Sequence, residues 1–256
     1  MKPRPICACV LALAISSLAG CDLPGRPKPG PEVPRPETIA SFDTLYGDNC
    51  AGCHGKSGEH GAATDLANPE YEALIDDASL RDVISNGEKE TLMPAFASHR
   101  GGPLTAAQIE VIVEGMRARW KKDKVFTGDN PPPYKAAHAG DASKGQAVYA
   151  AACARCHGAN AQQHGNAGSI LDGSFLALVN EQTIRTTILA GRPDIGEPDW
   201  RGHIPGRPMT DDEITDVSAW LIAQRPASPG QPYTSEGPTT GLPAEAQPQS
   251  TKPNRQ

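Results

Sequence analysis

The sequence predicts an all-α fold made of two tandem copies of one small helical domain, each wrapped around a bound non-protein group. Three observations predict this fold. An internal repeat runs through the chain, apolar residues recur at helical spacing after capping signals, and aromatic residues make up only 5% of a composition with 26 Gly and 25 Pro. Such a chain has little material for one large core, so either it is largely unfolded or something other than side chains fills its interiors.

The first predicted element is an export signal over residues 1–20. Lys2 and Arg4 precede an apolar run that is too short to span a bilayer, which takes roughly 20 apolar residues. The run ends in LAGC, which resembles the lipobox of bacterial lipoproteins, so Cys21 is the expected lipidation site. An ordinary signal with a chance cysteine is the alternative. We therefore expect an exported protein, lipid-anchored to a bacterial membrane and facing the periplasm or the cell exterior.

Composition divides the remaining chain. Residues 21–38 are proline-dense and predict an extended tether, and residues 227–256 are rich in Pro, Ser, Thr and Gln and predict a disordered tail. Residues 123–140 predict a linker between domains at 39–122 and 141–226. The formal net charge of −6 argues against a nucleic-acid partner, which requires a concentrated basic face.

The two domains are copies of one another. A tyrosine lies four residues before the first cysteine of each motif, at Tyr46 and Tyr149. One constant offset then pairs residues of the two halves: Leu74 with Leu178, Arg81 with Arg185, Gly87 with Gly191, and Pro94 with Pro198.

Each copy is predicted to contain three helical segments. A short helix runs into the cysteine motif, and the middle segment carries apolar residues at helical spacing. The last helix begins with a capping box, TAAQ (105–108) in one copy and TDDE (210–213) in the other. Its apolar stripe predicts the core face, which comprises Ile109, Ile112, Val113 and Met116 in the first copy and Ile214, Val217 and Leu221 in the second.

The motifs CAGCHG (50–55) and CARCHG (153–158) carry the chemistry. A structural zinc needs four ligands around one ion, and a redox dithiol is typical of a βαβ pattern, for which there is no strand signal. Covalent haem attachment uses every residue, because two thiols bond the porphyrin and the histidine faces the iron. We favour two haem c groups, bound by Cys50, Cys53, Cys153 and Cys156 with His54 and His157 as iron ligands. A shared zinc ion or disulfides are the alternatives.

With these motifs the chain resembles the class I c-type cytochromes, in a dihaem arrangement behind a lipoprotein signal. The resemblance covers about residues 40–226 and implies two all-α cytochrome c domains. In this family the sixth iron ligand is a methionine, usually followed by proline, on the loop before the last helix. In the first copy LMPAF (92–96) offers Met93 beside Pro94, which implies that Met93 is this ligand.

The second copy departs from that pattern. The repeat offset places Glu197 where Met93 stands, in IGEPDW (195–200). Met209 directly precedes the cap residue of the last helix, as Leu104 does in the first copy, so we interpret Met209 as the counterpart of Leu104. His203 lies on the appropriate loop and is our tentative ligand, with Met209 as its rival and a vacant iron as the third alternative.

The expected function is electron transfer by a membrane-tethered dihaem cytochrome c. Its partners would be a quinol-oxidising complex or a periplasmic dehydrogenase as donor and a haem-copper terminal oxidase as acceptor. A dihaem enzyme, either a peroxidase or a sulfur-compound dehydrogenase using an open second haem, is the first alternative. A subunit fixed permanently in a respiratory complex is the second.

Overall fold

The computed structural model describes residue 30 and residues 33–160 and 165–226. The predicted signal, Cys21 and the predicted tail lie outside the described residues. The chain divides into two units, Met1–Thr38 and Ile39–Gln256. The described part of the first unit contains the 3₁₀ turn Pro36–Thr38, in which the Thr38 hydroxyl donates to the Arg35 carbonyl at 2.7 Å.

Both repeats lie in the second unit and contain helices in the same order. The first repeat has α1 (Phe42–Asn49), α2 (Ala51–His54), α3 (Pro69–Leu74), α4 (Asp77–Asn86) and α5 (Ala106–Trp120). The second has α6 (Ala142–Ala152), α7 (Ala154–His157), α8 (Gly173–Leu176), α9 (Glu181–Ala190) and α10 (Asp211–Ala223). In the described residues β-pairing is limited to isolated bridges, so the all-α prediction is confirmed there. Within the same ranges, no helix combines the length and apolar character that crossing a bilayer requires.

The predicted middle helix of the first repeat is two helices. The chain turns away from helical geometry at Ile75, and the Asp76 carboxylate then accepts a hydrogen bond from the Ser79 backbone N–H to begin α4. An aspartate at this position satisfies a free backbone donor, which stabilises a new helix start. The non-helical backbone at Ile75 and Asp76 therefore separates α3 from α4.

The last helix of each repeat provides the core face, as predicted. Both capping boxes form, because Thr105 pairs with Gln108 and Thr210 pairs with Glu213 in both directions. The residues of the two predicted apolar stripes are all buried: Ile109, Ile112, Val113, Met116, Ile214, Val217 and Leu221. Each stripe packs within the hydrophobic cluster of its own repeat.

The segment predicted to be a linker packs against both repeats. Tyr134 is 9% exposed and belongs to the hydrophobic cluster of the first repeat. The buried guanidinium of Arg185, in α9 of the second repeat, donates to the carbonyls of Pro133 and Tyr134. Residues 133–134 therefore lie between the two repeats, while the precise domain boundaries stay a prediction.

Direct contacts also join the repeats. Helices α3 and α9 pack together, and the Asn68 amide at the start of α3 donates to the Ala190 carbonyl at 2.9 Å and to the Gly191 carbonyl at 3.2 Å. Asn68 is 2% exposed, and its amide oxygen at the same time caps α3. One buried side chain thus fixes both the start of α3 and the end of α9.

Candidate haem-binding sites

The two cysteine motifs begin where α1 and α6 end. The backbone N–H of Cys50 still donates to the Tyr46 carbonyl, and that of Cys153 donates to the Tyr149 carbonyl. One further helical turn, α2 or α7, carries the second cysteine and the histidine. Residues three apart lie on one face of a helical turn, so the two thiols of each motif are presented together.

The state of the thiols fits covalent attachment better than the alternatives. All four cysteines are free, with Cys53 and Cys156 exposed, Cys50 half-buried and Cys153 buried. Burial raises the pKa of Cys50 to about 11 and that of Cys153 to about 12. Neither of these two thiols therefore has the lowered pKa that is typical of an attacking redox cysteine.

The geometry also disfavours a zinc site. Among the residues that the structure describes, no group of three His, Cys, Asp or Glu side chains converges on a point that could hold a metal ion. A structural zinc needs four such ligands. A haem would need only the two thiols, for covalent attachment, and one histidine from each motif, because the porphyrin itself would supply four nitrogen donors to the iron.

Each motif histidine is oriented by a backbone carbonyl. Nδ1 of His54 lies 2.8 Å from the Thr64 carbonyl oxygen, and Nδ1 of His157 lies 2.9 Å from the Gly168 carbonyl oxygen. A carbonyl only accepts, so each Nδ1 carries the proton and each Nε2 presents a lone pair for a metal. Burial lowers the pKa of His54, which favours the neutral imidazole that binds iron.

The matched positions of the two tyrosines in the repeats have a structural reason that the sequence did not reveal. The hydroxyl of Tyr46 donates to the Gly55 carbonyl at 2.8 Å, and the hydroxyl of Tyr149 donates to the Gly158 carbonyl at 2.7 Å. Each bond ties the helix before the motif to the residue after the histidine. Their matched positions four residues before the first cysteine were the only signal of this role.

Met93 lies on a loop held closely against the end of α4. A Cβ built on Gly87, whose φ is 69°, would lie 2.6 Å from the Met93 carbonyl oxygen, so only glycine allows this approach. Met116 is 1% exposed and packs in the core, whereas Met93 is half-buried and belongs to neither hydrophobic cluster. Its thioether is therefore not used in core packing and is available to bind a metal.

The second repeat places a carboxylate at the corresponding point. Gly191 has a φ of 70°, and a Cβ built on it would lie 2.8 Å from the carbonyl oxygen of Glu197. This geometry matches that of Gly87 and Met93 and supports the pairing of Met93 with Glu197. Desolvation raises the pKa of Glu197 to about 7, with Arg192 opposing the rise.

His203 has the hydrogen-bonding pattern of the two motif histidines. It is 7% exposed, its ring N–H donates to the Ile188 carbonyl, and its buried Nε2 has no hydrogen-bond partner among the described residues. Burial lowers the pKa of His203, the Ile188 hydrogen bond and Asp199 oppose this, and His157 adds a smaller lowering. A buried nitrogen without a partner is costly, and coordination to an iron ion would satisfy it.

Met209 instead occupies the position of Leu104. The Met209 backbone N–H donates to the Trp200 carbonyl at 2.9 Å, and the Leu104 backbone N–H donates to the Phe96 carbonyl at 2.8 Å. Met209 is 2% exposed and lies in the hydrophobic cluster of its repeat. This matches the equivalence expected from the sequence.

His60, His99 and His138 are exposed, and His164 lies outside the described residues.

Comparison with known proteins identifies the family. The family described as "Cytochrome C oxidase, cbb3-type, subunit III" matches residues 37–114 and 140–221, one segment for each repeat. "Cbb3-type cytochrome c oxidase subunit FixP" of Bradyrhizobium sp. (strain ORS 278) is 29% identical over 174 residues, which are 64% of this chain and 55% of that protein. The protein of the same name from Bradyrhizobium diazoefficiens is 28% identical over 175 residues, again 64% of this chain and 55% of the relative.

The chain thus spans about half the length of the curated relatives it matches. Among solved structures, the "Kuenenia stuttgartiensis reducing HAO-like protein complex Kustc0457/Kustc0458" aligns over 76% of this chain and 100% of that chain, with 14% identity and a TM-score of 0.43. That likeness is too weak to place the fold. The family segments together cover more than half of the chain and coincide with the two repeats. The chain therefore belongs to the cbb3-type cytochrome c oxidase subunit III family, as a dihaem c-type cytochrome with one haem domain in each repeat.

Proposed function

We propose that this protein is a membrane-tethered dihaem cytochrome c that passes electrons to a terminal oxidase of the cbb3 type. The duplicated histidine geometry is the observation that carries the proposal. In both motifs Nδ1 is held by a backbone carbonyl and Nε2 is left for the iron. A covalently attached haem supplies one-electron chemistry, and the chain's part is to hold the axial ligands and exclude water.

For the first haem we assign His54 and Met93 as the axial ligands. Two protein ligands would close the coordination sphere, so this site would transfer electrons rather than bind a substrate. A methionine and a histidine together raise the reduction potential of a c-type haem. The half-buried position of Met93, outside the packed core, supports this assignment.

For the second haem we assign His157 and His203. The buried, unpartnered Nε2 of His203 supports it over Met209, whose side chain is used in core packing. A bis-histidine haem would have a lower potential than the first haem. The pair would then form a two-step electron path within one chain.

We further propose that Cys21 is lipidated after export and that residues 21–38 tether the haem domains to a bacterial membrane, facing the periplasm or the cell exterior. The LAGC motif supports the anchor. An extended proline-rich segment has about 3.1 Å per residue, so the tether would reach roughly 50 Å. Replacing Cys21 with Ser should release the protein from washed membranes if this anchor exists.

The relatives' names favour a lasting association with the oxidase over free movement between partners. Both are described as subunits of a cbb3-type cytochrome c oxidase. Purification in mild detergent distinguishes the two modes, since a fixed subunit should remain with the oxidase in constant ratio. A mobile carrier should separate from it and still be oxidised by it in the presence of oxygen.

The decisive experiment on the haems combines mass and near-infrared spectroscopy. The mature protein should carry two haems, and its ferric form should show one methionine–iron charge-transfer band. Met93→Ala should abolish the band. Met116→Leu is the matched control, because Met116 is 1% exposed in the core and should leave the band intact. Survival of the band in Met93→Ala would disprove the ligand assignment, and a single bound haem would disprove the dihaem function.

A further inference from the structure

An arginine of the second repeat reaches into the first. The guanidinium of Arg192 donates through Nη1 to the Ala63 carbonyl at 3.0 Å and through Nη2 to the Gly61 carbonyl at 3.1 Å. Its Nε and Nη2 also donate to the two oxygens of Asp194, at 2.9 and 2.8 Å. The Arg192 and Asp194 side chains are 12% and 1% exposed, so this ion pair and its hydrogen bonds are largely buried.

The two carbonyls belong to the loop that orients the first motif histidine. The residue after Ala63 is Thr64, whose carbonyl oxygen lies 2.8 Å from Nδ1 of His54. The Ala63 backbone N–H also donates to the Cys53 carbonyl at 3.0 Å, which fastens the loop to the motif itself. Arg192 therefore holds the peptide directly adjoining the hydrogen bond that fixes the His54 ring.

The backbone of Arg192 is equally well fixed on its own side. Its N–H donates to the Glu197 carbonyl at 3.0 Å, and the Glu197 N–H donates back to the Arg192 carbonyl at 3.0 Å. Glu197 stands at the position corresponding to Met93, on the ligand loop of the second haem. The side chain of Arg192 thus links two loops. One is the loop of the second repeat that carries Glu197, which we call the ligand loop, and the other is Gly61–Thr64 of the first repeat, which we call the histidine loop.

The first repeat carries no arginine at the position that corresponds to Arg192. The repeat offset places Glu88 of the first repeat at the position of Arg192. A carboxylate has no donors and cannot hold two carbonyls. Glu88 instead accepts a hydrogen bond from Asn180 at 3.1 Å.

The geometry points to Arg192 as a positioning residue for His54, through which the second repeat sets the redox properties of the first haem. This inference rests on the proposed assignment of His54 as an iron ligand. The hydrogen bond from Nδ1 to a carbonyl raises the basicity of a histidine ligand. A more basic ligand favours ferric iron, so a looser Thr64 carbonyl should favour ferrous iron.

Lysine and glutamine variants separate positioning from charge. Arg192→Lys keeps the positive charge but loses the fork that reaches both carbonyls, because an ammonium is a point charge on a flexible stem. At a fixed electrode potential, the ratio of ferrous to ferric iron in its first haem should rise about threefold, which corresponds to losing part of one hydrogen bond. Arg192→Gln also loses the charge, which opposes this change, so its potential should lie below that of the lysine variant.

Arg201→Gln is the matched control. Arg201 also joins the repeats, through Glu70 at 3.4 Å, but it does not contact the loop at Gly61–Thr64. Potentials would be read from optical redox titration, and the orientation of the His54 ring from the paramagnetically shifted proton resonances of the ferric first haem. We expect both readouts to change in Arg192→Lys and neither to change in Arg201→Gln.

Two results would overturn the inference. One is a lysine variant identical to the wild type in potential and resonances, and the other is an equal change in Arg201→Gln. If Arg192→Gln fails to assemble, the lysine variant decides alone. A wild-type first haem without histidine–methionine ligation would instead refute the proposed function, whatever the Arg192 variants show.

Discussion

Replacing His203 tests its proposed role as an iron ligand of the second haem. His203→Ala removes a ring whose N–H donates to the Ile188 carbonyl and whose Nε2 is buried without a partner among the described residues. If Nε2 binds no iron, the substitution gives up a hydrogen bond worth about 1 kcal/mol but also relieves a buried orphan that costs about 1–3 kcal/mol. The truncated ring also leaves a cavity, whose cost lowers stability, so stability alone does not separate the two cases.

If Nε2 binds iron, the same substitution opens a coordination position. The assay is carbon monoxide binding to the reduced protein, counted for each chain. We expect no binding by the wild type and one carbon monoxide per chain for His203→Ala, together with a lower thermal unfolding temperature. The carbon monoxide stoichiometry decides between the cases, because the cavity left by alanine can by itself lower the unfolding temperature.

Met209→Leu is the control for this experiment. Met209 is 2% exposed, and a volume-conserving core substitution usually costs less than about 1.5 kcal/mol. The variant should therefore bind no carbon monoxide. Binding by Met209→Leu but not by His203→Ala would show that methionine is the ligand and refute the reasoning. Binding of one carbon monoxide by the wild type would show that the second iron is vacant.

Two further predictions concern buried charges. Since burial raises the pKa of Glu197 from 4.5 to about 7, the folded state holds a proton that the unfolded state releases, so stability should fall as pH rises between these values. Denaturant unfolding at several pH values should show that the free energy of unfolding falls by at most about 3 kcal/mol over this range, and Glu197→Gln should remove the fall. The same pH dependence in Glu197→Gln as in the wild type would contradict this prediction. Arg185→Met should lower the denaturant stability by about 3 kcal/mol, because Arg185 is 2% exposed, pairs with Asp211 and donates to Thr215 at 2.8 Å. The exposed pair of Arg207 and Glu213 offers the control, and an equal loss in Arg207→Met would contradict this account.

Local and repeated features could be predicted from the sequence. The capping boxes at Thr105 and Thr210 formed as predicted because each depends on residues within one helical turn. The pairing of Gly87 with Gly191 was visible because both glycines meet the same steric demand from the loop behind them. A repeated constraint leaves the same residue twice, even where the neighbouring side chains differ.

Features that depend on how distant segments pack could not be predicted. Nothing in the sequence shows that Arg192 meets carbonyls 129 and 131 residues earlier in the chain. The burial of Tyr134 was likewise hidden, because its segment has the composition of a linker. The missing partner of His203 Nε2 is also a property of the folded environment, so the sequence could only place that residue on a suitable loop.

Two of the differences between the repeats lie in one loop. The second repeat keeps the turn at Gly191 and the proline after the ligand position but carries Glu197 in place of Met93 and Arg192 in place of Glu88. Under the proposed assignments, the first change removes a methionine ligand, and His203 takes its role in the second repeat. The second adds a donor that reaches the histidine loop of the other repeat. Because Arg192 and Glu197 exchange backbone hydrogen bonds, any movement of the second ligand loop on oxidation would be carried to the His54 loop. Simultaneous titration of both haems in Arg192→Lys and wild type should therefore reveal whether the two potentials depend on one another.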